Sequence, residues 1–445
     1  MEEHTLDVYY RESAELKDFG RFKIPTKNFH RQYSSIYVAR LAALRSKVVE
    51  KATAKWEQCE VIKICQLVEK SQNEACILIG TLYKHQELKP SILRELSEEL
   101  QIVPQPARSN YASFKDTLFL EDEMLRVLLI GKHMDIKDIV TGLVCAVMGY
   151  QMDNDKFSVI DWCFPGCCPK PALSNPEFKS SGKVLFISGL DIVNNLESLT
   201  LNLLSEWING MIGCKDSQHD TASILCVIIA GNSVRGSIET HNHKGYFQTK
   251  SHDEVVFKKA AMSAHILDQF LHTIVQCCPV ILLPGEFDPV CYAIPQQPFH
   301  PCILPQSARF KSLHAVTNPW VGSINSCTIA GTSGQPIMDI MKVAGLTEVS
   351  PLTWLERTLN WQHFAPTAPD TLPAYPYFED DPFIMKEYPD IYFAGNMEEY
   401  DTKLITADQG QVVRLICIPK FSKTQTAVLV NLTDLETSPI SFGAG

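Results

Sequence analysis

The chain has 445 residues, 45% of them hydrophobic and 20% charged, and a net charge of −11. That length exceeds what one hydrophobic core usually fills, so two domains are expected, and the composition fits a soluble globular protein. The acidic balance argues against a chain built chiefly to grip nucleic acid, which normally shows a basic face. No apolar run reaches the roughly 18 residues of a membrane span.

The start, Met1-Glu2-Glu3-His4, shows neither the basic nor the apolar region of a secretory signal. Fifteen cysteines, an odd number at irregular spacing, read as reduced thiols in a reducing compartment. The densest group holds Cys163, Cys167 and Cys168. It has no second Cys-x-x-Cys pair with which to build a zinc site, so its members read as small buried hydrophobes.

Residues 1–28 are polar and mixed and read as an N-terminal arm. Tyr33 to Trp56 has helical spacing, with Ile36, Leu41, Leu44 and Val48 on the apolar side. Its basic residues, Arg40, Arg45, Lys47, Lys51 and Lys55, together with Arg31 just before it, read as a solvated face. Strands are expected at Val61–Cys65, Ala75–Tyr83, Leu125–Ile130, Leu143–Met148 and Phe157–Asp161, with a helix from Pro90 carrying Ile92, Leu93, Leu96 and Leu100. Five strands with one inserted helix fit an OB-fold barrel over residues 29–163. Its aromatics (Tyr83, Phe119, Phe157) are too few to suggest base stacking.

Residues 164–183 are rich in Pro, Gly and Ser and read as a linker. Beyond it, over 184–445, strands alternate with helices, which implies a sheet covered on both sides. Leu196, Leu199, Leu203, Leu204 and Trp207 form one helical face; Phe257, Ala261, Ala264, Leu267, Leu271 and Ile274 form another. Four apolar strands each run into a glycine: Ile187-Ser188-Gly189-Leu190-Asp191, Ile229-Ala230-Gly231-Asn232, Leu283-Pro284-Gly285-Glu286-Phe287-Asp288 and Phe393-Ala394-Gly395-Asn396-Met397-Glu398. Sites in open α/β sheets form beyond the carboxyl ends of strands. No Walker loop and no Gly-x-Ser-x-Gly elbow occurs. His241-Asn242-His243 has the spacing of a chelating pair, but it lies in a polar insertion and reads as surface loop.

The four glycine turns resemble the calcineurin-like phosphoesterase fold, whose motifs hold two metals with Asp-x-His, Gly-Asp, Gly-Asn-His and Gly-His-x-His. Measured against that resemblance the ligand set is broken. Gly189 and Asp191 stand at the first motif, without its histidine. Asn232 replaces the bridging carboxylate. Glu286 and Phe287 replace Asn and His, with Asp288 following. Asn396 and Glu398 stand where both final histidines belong. Two cations roughly 3.5–4 Å apart need a bridging anion, and histidine is the commonest metal ligand. The resemblance therefore implies a phosphoesterase-like domain without a metal site or cofactor, whose remaining acids cap turns.

Longer strings narrow the resemblance. Leu283–Pro289, Pro295–Pro301, Val316–Pro319, Gly331–Gln335, Pro366–Leu372 and Thr424–Ala427 are similar to the small B-type subunits of DNA polymerase delta. That family is non-catalytic. It binds the Cys-rich C-terminal domain of the catalytic subunit, holds an elongated third subunit, meets DNA only indirectly, and works in the nucleus. A metal-dependent phosphoesterase or nuclease, the small subunit of another replicative polymerase, and a single-strand-binding module remain the competing readings.

Overall fold

The computed structural model describes residues 9–70, 74–89, 110–131, 135–152, 156–168, 181–193, 199–235, 250–345, 348–407 and 410–443. The helix expected from Pro90, most of the 164–183 segment, Leu196, and the His241/His243 pair lie outside them.

A three-residue strand β1 (Leu16–Asp18) precedes helix α1 (Ser34–Lys55). Strands β2 (Glu60–Ile62), β3 (Cys76–His85), β4 (Thr117–Glu121), β5 (Arg126–Ile130), β6 (Val144–Met152) and β7 (Lys156–Cys163) follow. They run β2-β3-β4-β5-β7-β6, and β3 also pairs with β6, which closes the ring into a barrel. Alternation explains its core. Leu118, Leu120, Val127, Leu129 and Phe157 are buried, whereas Phe119, Leu128 and Lys156 between them are only half-buried. Helix α1 lays Leu41, Leu44, Val48 and Ala52 against Ile77, Ile79, Val144 and Ala146. Two local expectations differ. The strand expected to run to Cys65 stops at Ile62 and gives way to a 3-10 turn, Ile64–Glu69. Strand β4 is additional to the expected set, because its five residues are too short to show a clear period.

The remaining elements are β8 (Lys183–Ile187), α2 (Leu199–Ile208), α3 (Lys215–Ala222), β9 (Ile224–Ala230), α4 (Lys250–Val275), β10 (Val280–Leu283), β11 (Leu313–Ala315), β12 (Trp320–Ile324) and β13 (Cys327–Thr332). Helices α5 (Gln335–Ala344) and α6 (Pro351–Asn360) come next, then β14 (Ile391–Met397), β15 (Asp401–Thr406), β16 (Val412–Pro419), α7 (Phe421–Thr424), β17 (Thr426–Asn431) and β18 (Thr437–Ser441). Two six-stranded sheets result, β11-β10-β9-β8-β17-β18 and β1-β12-β13-β14-β16-β15. Val184, Phe186, Ile228 and Ile281 of the first pack against Trp320, Ile329, Ile391, Phe393 and Ile416 of the second. On the other side of the first sheet, Leu185, Val227, Ile229 and Leu282 meet Leu204 and Trp207 of α2 and Leu267, Leu271 and Ile274 of α4. Strands buried on both faces account for the near-continuous apolar runs.

The chain forms two compact units that interleave in sequence. One comprises Met1–Pro25, Lys170–Gln335 and Tyr388–Gly445 and contains the two sheets; the other comprises Thr26–Pro169 and Pro336–Glu387 and contains the barrel. This differs from the contiguous division expected from sequence, in which everything after residue 184 forms one domain. The reason is a set of buried polar anchors. The Arg40 guanidinium, expected on a solvated face, is fully buried. Its Nε pairs with Asp381 at 2.6 Å, Nη1 donates to the carbonyls of Gly142 (3.0 Å) and Pro366 (2.9 Å), and Nη2 donates to Ala368 (2.8 Å). His363 Nε2 lies 2.8 Å from the same carboxylate oxygen. Lys84, also buried, donates to Ile139 and Val343, and burial lowers its ammonium to about 8. Arg45 does sit at the surface, paired with Glu123.

Candidate functional site

The carboxyl ends of parallel strands β8, β9 and β10 meet those of β13 and β14 in the two-sheet unit. Gly189 N–H donates to Gly231 carbonyl (3.0 Å) and Asp191 N–H to Asn232 carbonyl (3.0 Å), so the turns after β8 and β9 are joined by backbone. Asp191, Asn232 and Asn396 all have left-handed backbone, with φ of 47°, 52° and 60°. Asn and Asp tolerate that region better than other side-chain-bearing residues. Gly231 and Gly285 are required by close approach. A Cβ on Gly231 would collide with Ser333, and one on Gly285 would collide with Asn232.

The structure brings most of the expected site residues together, with their polar atoms already engaged. Asn232 Oδ1 accepts the Phe287 N–H at 3.2 Å. Asn396 Nδ2 donates to the carbonyls of Ala230 (3.0 Å) and Ser333 (2.9 Å), and its own N–H donates to Ser188 Oγ (2.8 Å). Asp288 is buried. One of its oxygens accepts from Val234 N–H (2.9 Å) and the other from Gly285 N–H (2.7 Å). Burial pushes its carboxyl up to about 7, while backbone N–H groups from Val234, Gly285, Ser233 and Asn232 oppose that shift. Asp288 is therefore more than a surface turn cap: it staples the β9 loop to the β10 loop.

The other acids stand apart from this core. Asp191 accepts from Ser422 Oγ at 2.8 Å. Glu398 is paired with Lys420 and Lys423, both at 2.9 Å, and the two ammonium groups hold its carboxyl below its usual range. Glu286 is exposed. Phe287 is half-buried, with the Arg235 guanidinium 5.9 Å from its ring centre. Among the described residues no group of three or more His, Cys, Asp or Glu is arranged to hold a metal.

Sequence reading missed two parts of this region. Lys420, Ser422 and Lys423 lie in and just before the short helix α7, far along the chain, and no motif marked them. The second part is a buried amide cluster. Asn318 Nδ2 donates to Gln296 Oε1 (2.8 Å), Ser333 Oγ (2.6 Å) and Gln335 Oε1 (2.7 Å); Gln335 Nε2 donates to Gln296 Oε1 (2.9 Å); Gln296 Nε2 donates to the Gly285 carbonyl (2.8 Å). Three of the Pro- and Gly-rich strings supply these residues. A satisfied buried polar network fixes one arrangement of the loops that carry it.

Two family models match the chain. That of the DNA polymerase delta subunit OB-fold domain matches residues 32–162, and that of the small (B-type) subunit of DNA polymerases alpha and epsilon matches residues 184–402. The chain is 38% identical over 426 residues to DNA polymerase delta subunit 2 of Drosophila melanogaster, an alignment covering 95% of each chain. The chain belongs to the DNA polymerase delta small-subunit family. The DNA polymerase delta small subunit of Arabidopsis thaliana is 35% identical over 449 residues, covering 99% of this chain and 98% of the relative. That of Oryza sativa subsp. japonica is 35% identical over 435 residues, covering 97% and 98%. Membership in the polymerase delta small-subunit family makes the chain an accessory subunit of a DNA polymerase complex, and the closed barrel is its OB-fold domain.

Proposed function

We propose that this subunit is a non-catalytic scaffold. It joins the Cys-rich C-terminal domain of the polymerase delta catalytic subunit to an elongated third subunit, in the nucleus, and it meets DNA only indirectly. The two-sheet unit is read as a calcineurin-like phosphoesterase sandwich that kept its strand-end turns and lost its metal chemistry. One observation carries this reading: the polar atoms at those turns are used up internally. Asn232 and Asn396 are neutral amides bonded to backbone, Asp288 is saturated by N–H groups, and Glu398 is neutralised by two lysines. Such a donor set does not fit a pair of close cations, which call for a bridging anion and imidazoles.

Co-expression tests the scaffold role. The full chain should co-purify with the catalytic subunit in a defined ratio, and truncation of that subunit's Cys-rich C-terminal domain should abolish the association. The third subunit should enter the complex only when this chain is present. If the catalytic and third subunits assemble equally well without it, the bridging role is refuted.

A further inference from the structure

The barrel unit carries a surface that neither the OB-fold nor the strand-end pocket explains. Residues 28–33 lie along the segment 374–378. Asn28 N–H donates to the Tyr375 hydroxyl at 2.6 Å, and the Tyr33 hydroxyl donates to the Ala374 carbonyl at 3.0 Å. The Phe29 ring stands edge-on to Tyr375 at 5.3 Å between centroids, Tyr375 meets Tyr377 at 5.0 Å, and the Arg31 guanidinium sits 4.5 Å from the Phe378 ring centre. Despite these contacts, Phe29 is 62% exposed, Phe378 51% and Tyr33 47%. Hydrogen bonds and ring contacts thus hold three large aromatic side chains half in water.

Phe, Tyr and Arg are enriched at the centres of protein interfaces, where rigid rings lose little entropy on docking. An aromatic side chain can bury about 150–250 Å², so three half-exposed rings present about 300 Å². That is the scale of an exposed patch with a function, yet well below the roughly 800 Å² each partner contributes to a stable interface. The patch alone would not capture a free molecule or a second copy. It suits a chain already anchored in the same assembly, and family membership places this subunit in one. Charge supports a polypeptide over a nucleic acid. The basic Lys27 and Arg31 are matched by Glu379 and Asp380, all exposed, so no basic track is available to neutralise a row of phosphates.

We propose that the Phe29–Tyr33–Phe378 patch is a docking surface for an apolar segment of the polymerase catalytic subunit. This rests on the scaffold reading given above. The test is hydroxyl-radical footprinting of the full wild-type chain, alone and with the polymerase delta catalytic subunit, together with affinity measurements on the Phe29→Ala/Phe378→Ala double variant. The complex should protect all three rings. Phe114, which is 94% exposed and not among the patch contacts, serves as the control: Phe114→Ala should change affinity less than twofold. The double variant should bind about 30-fold more weakly, the scale of two interface hot spots, with an unchanged melting temperature. A complex that forms with all three rings still oxidised as in the free chain overturns this proposal and leaves the scaffold reading standing. Protection that instead follows the chain's own concentration, or the addition of single-stranded DNA, also overturns it. A wild-type chain that does not bind the catalytic subunit defeats both.

Discussion

Replacing Arg40 with alanine should be among the most damaging single changes in the barrel unit. The guanidinium is fully buried and serves four acceptors: the Asp381 carboxylate and the carbonyls of Gly142, Pro366 and Ala368. Removing one member of a buried ion pair costs about 3–5 kcal/mol, because the partner charge is left in a low-dielectric site. Each carbonyl stranded without a donor adds about 1–3 kcal/mol unless water enters the space. We expect a loss of at least about 4 kcal/mol, against a total stability of about 5–15 kcal/mol for a domain. Arg40→Lys keeps the charge but not the fork, and should fall between alanine and wild type. Arg45→Ala is the control from the same helix. Its pair with Glu123 is 31% and 45% exposed, so its loss should cost no more than about 1 kcal/mol. Urea unfolding of the full chain measures all three, and limited proteolysis should show cleavage within residues 361–387 appearing first. The pH dependence has a definite sign. Arg40 and His363 hold Asp381 well below the ordinary carboxylate range despite its burial. The stabilisation is therefore present above about pH 4 and lost as pH falls further, so the gap between wild type and Arg40→Ala should narrow in acid. An Arg40→Ala chain within about 1 kcal/mol of wild type at pH 7 would refute the argument.

Two further expectations concern the units separately. Residues 29–163 expressed alone lack the acceptors of Arg40 and Lys84 that lie in Pro336–Glu387, so the fragment should show weak near-ultraviolet dichroism and aggregate, and supplying residues 336–387 through a linker should restore a cooperative melt. Asp288→Asn places an amide NH₂ against a backbone N–H and should cost about 2–4 kcal/mol, the loss of a charge-assisted bond plus an unpaired buried donor; because burial raises the Asp288 carboxyl to about 7, its contribution is fully present below about pH 4 and fades as pH rises through 7, so the wild type's advantage over the variant should be larger at pH 5 than at pH 8.

The local grammar of the chain was largely legible. Helix α1 was expected within a residue of its observed ends, because Leu41, Leu44 and Val48 keep a helical period. The strands before Gly189, Gly231, Gly285 and Gly395 were legible as apolar runs ending in a turn, and the turns do meet. Arg40 was not legible. On a helix otherwise carrying exposed cations, nothing in the sequence distinguishes an arginine whose partner lies 341 positions away from one in water. The interleaving of the two units was hidden for the same reason: Pro336–Glu387 has the same mixed texture as the segments around it, and only its buried partners assign it to the barrel. At the pocket, the identity of the residues was plain but their bonding was not. Asp288 looked like a cap beside Pro289, yet it bridges two loops. Gln296, Asn318, Ser333 and Gln335 lay in strings whose composition marked them as special, without revealing that they form one buried amide cluster.

The central claim is that the strand-end pocket is spent on internal bonds and performs no metal chemistry. The most direct measurement is manganese titration of the purified full chain, followed in the same sample by release of nitrophenol from bis-nitrophenyl phosphate. The account predicts no stoichiometric binding of manganese at the pocket and no hydrolysis above buffer. Two manganese ions bound per chain, with turnover that disappears in Asp191→Asn or Asp288→Asn protein that remains folded, would contradict it.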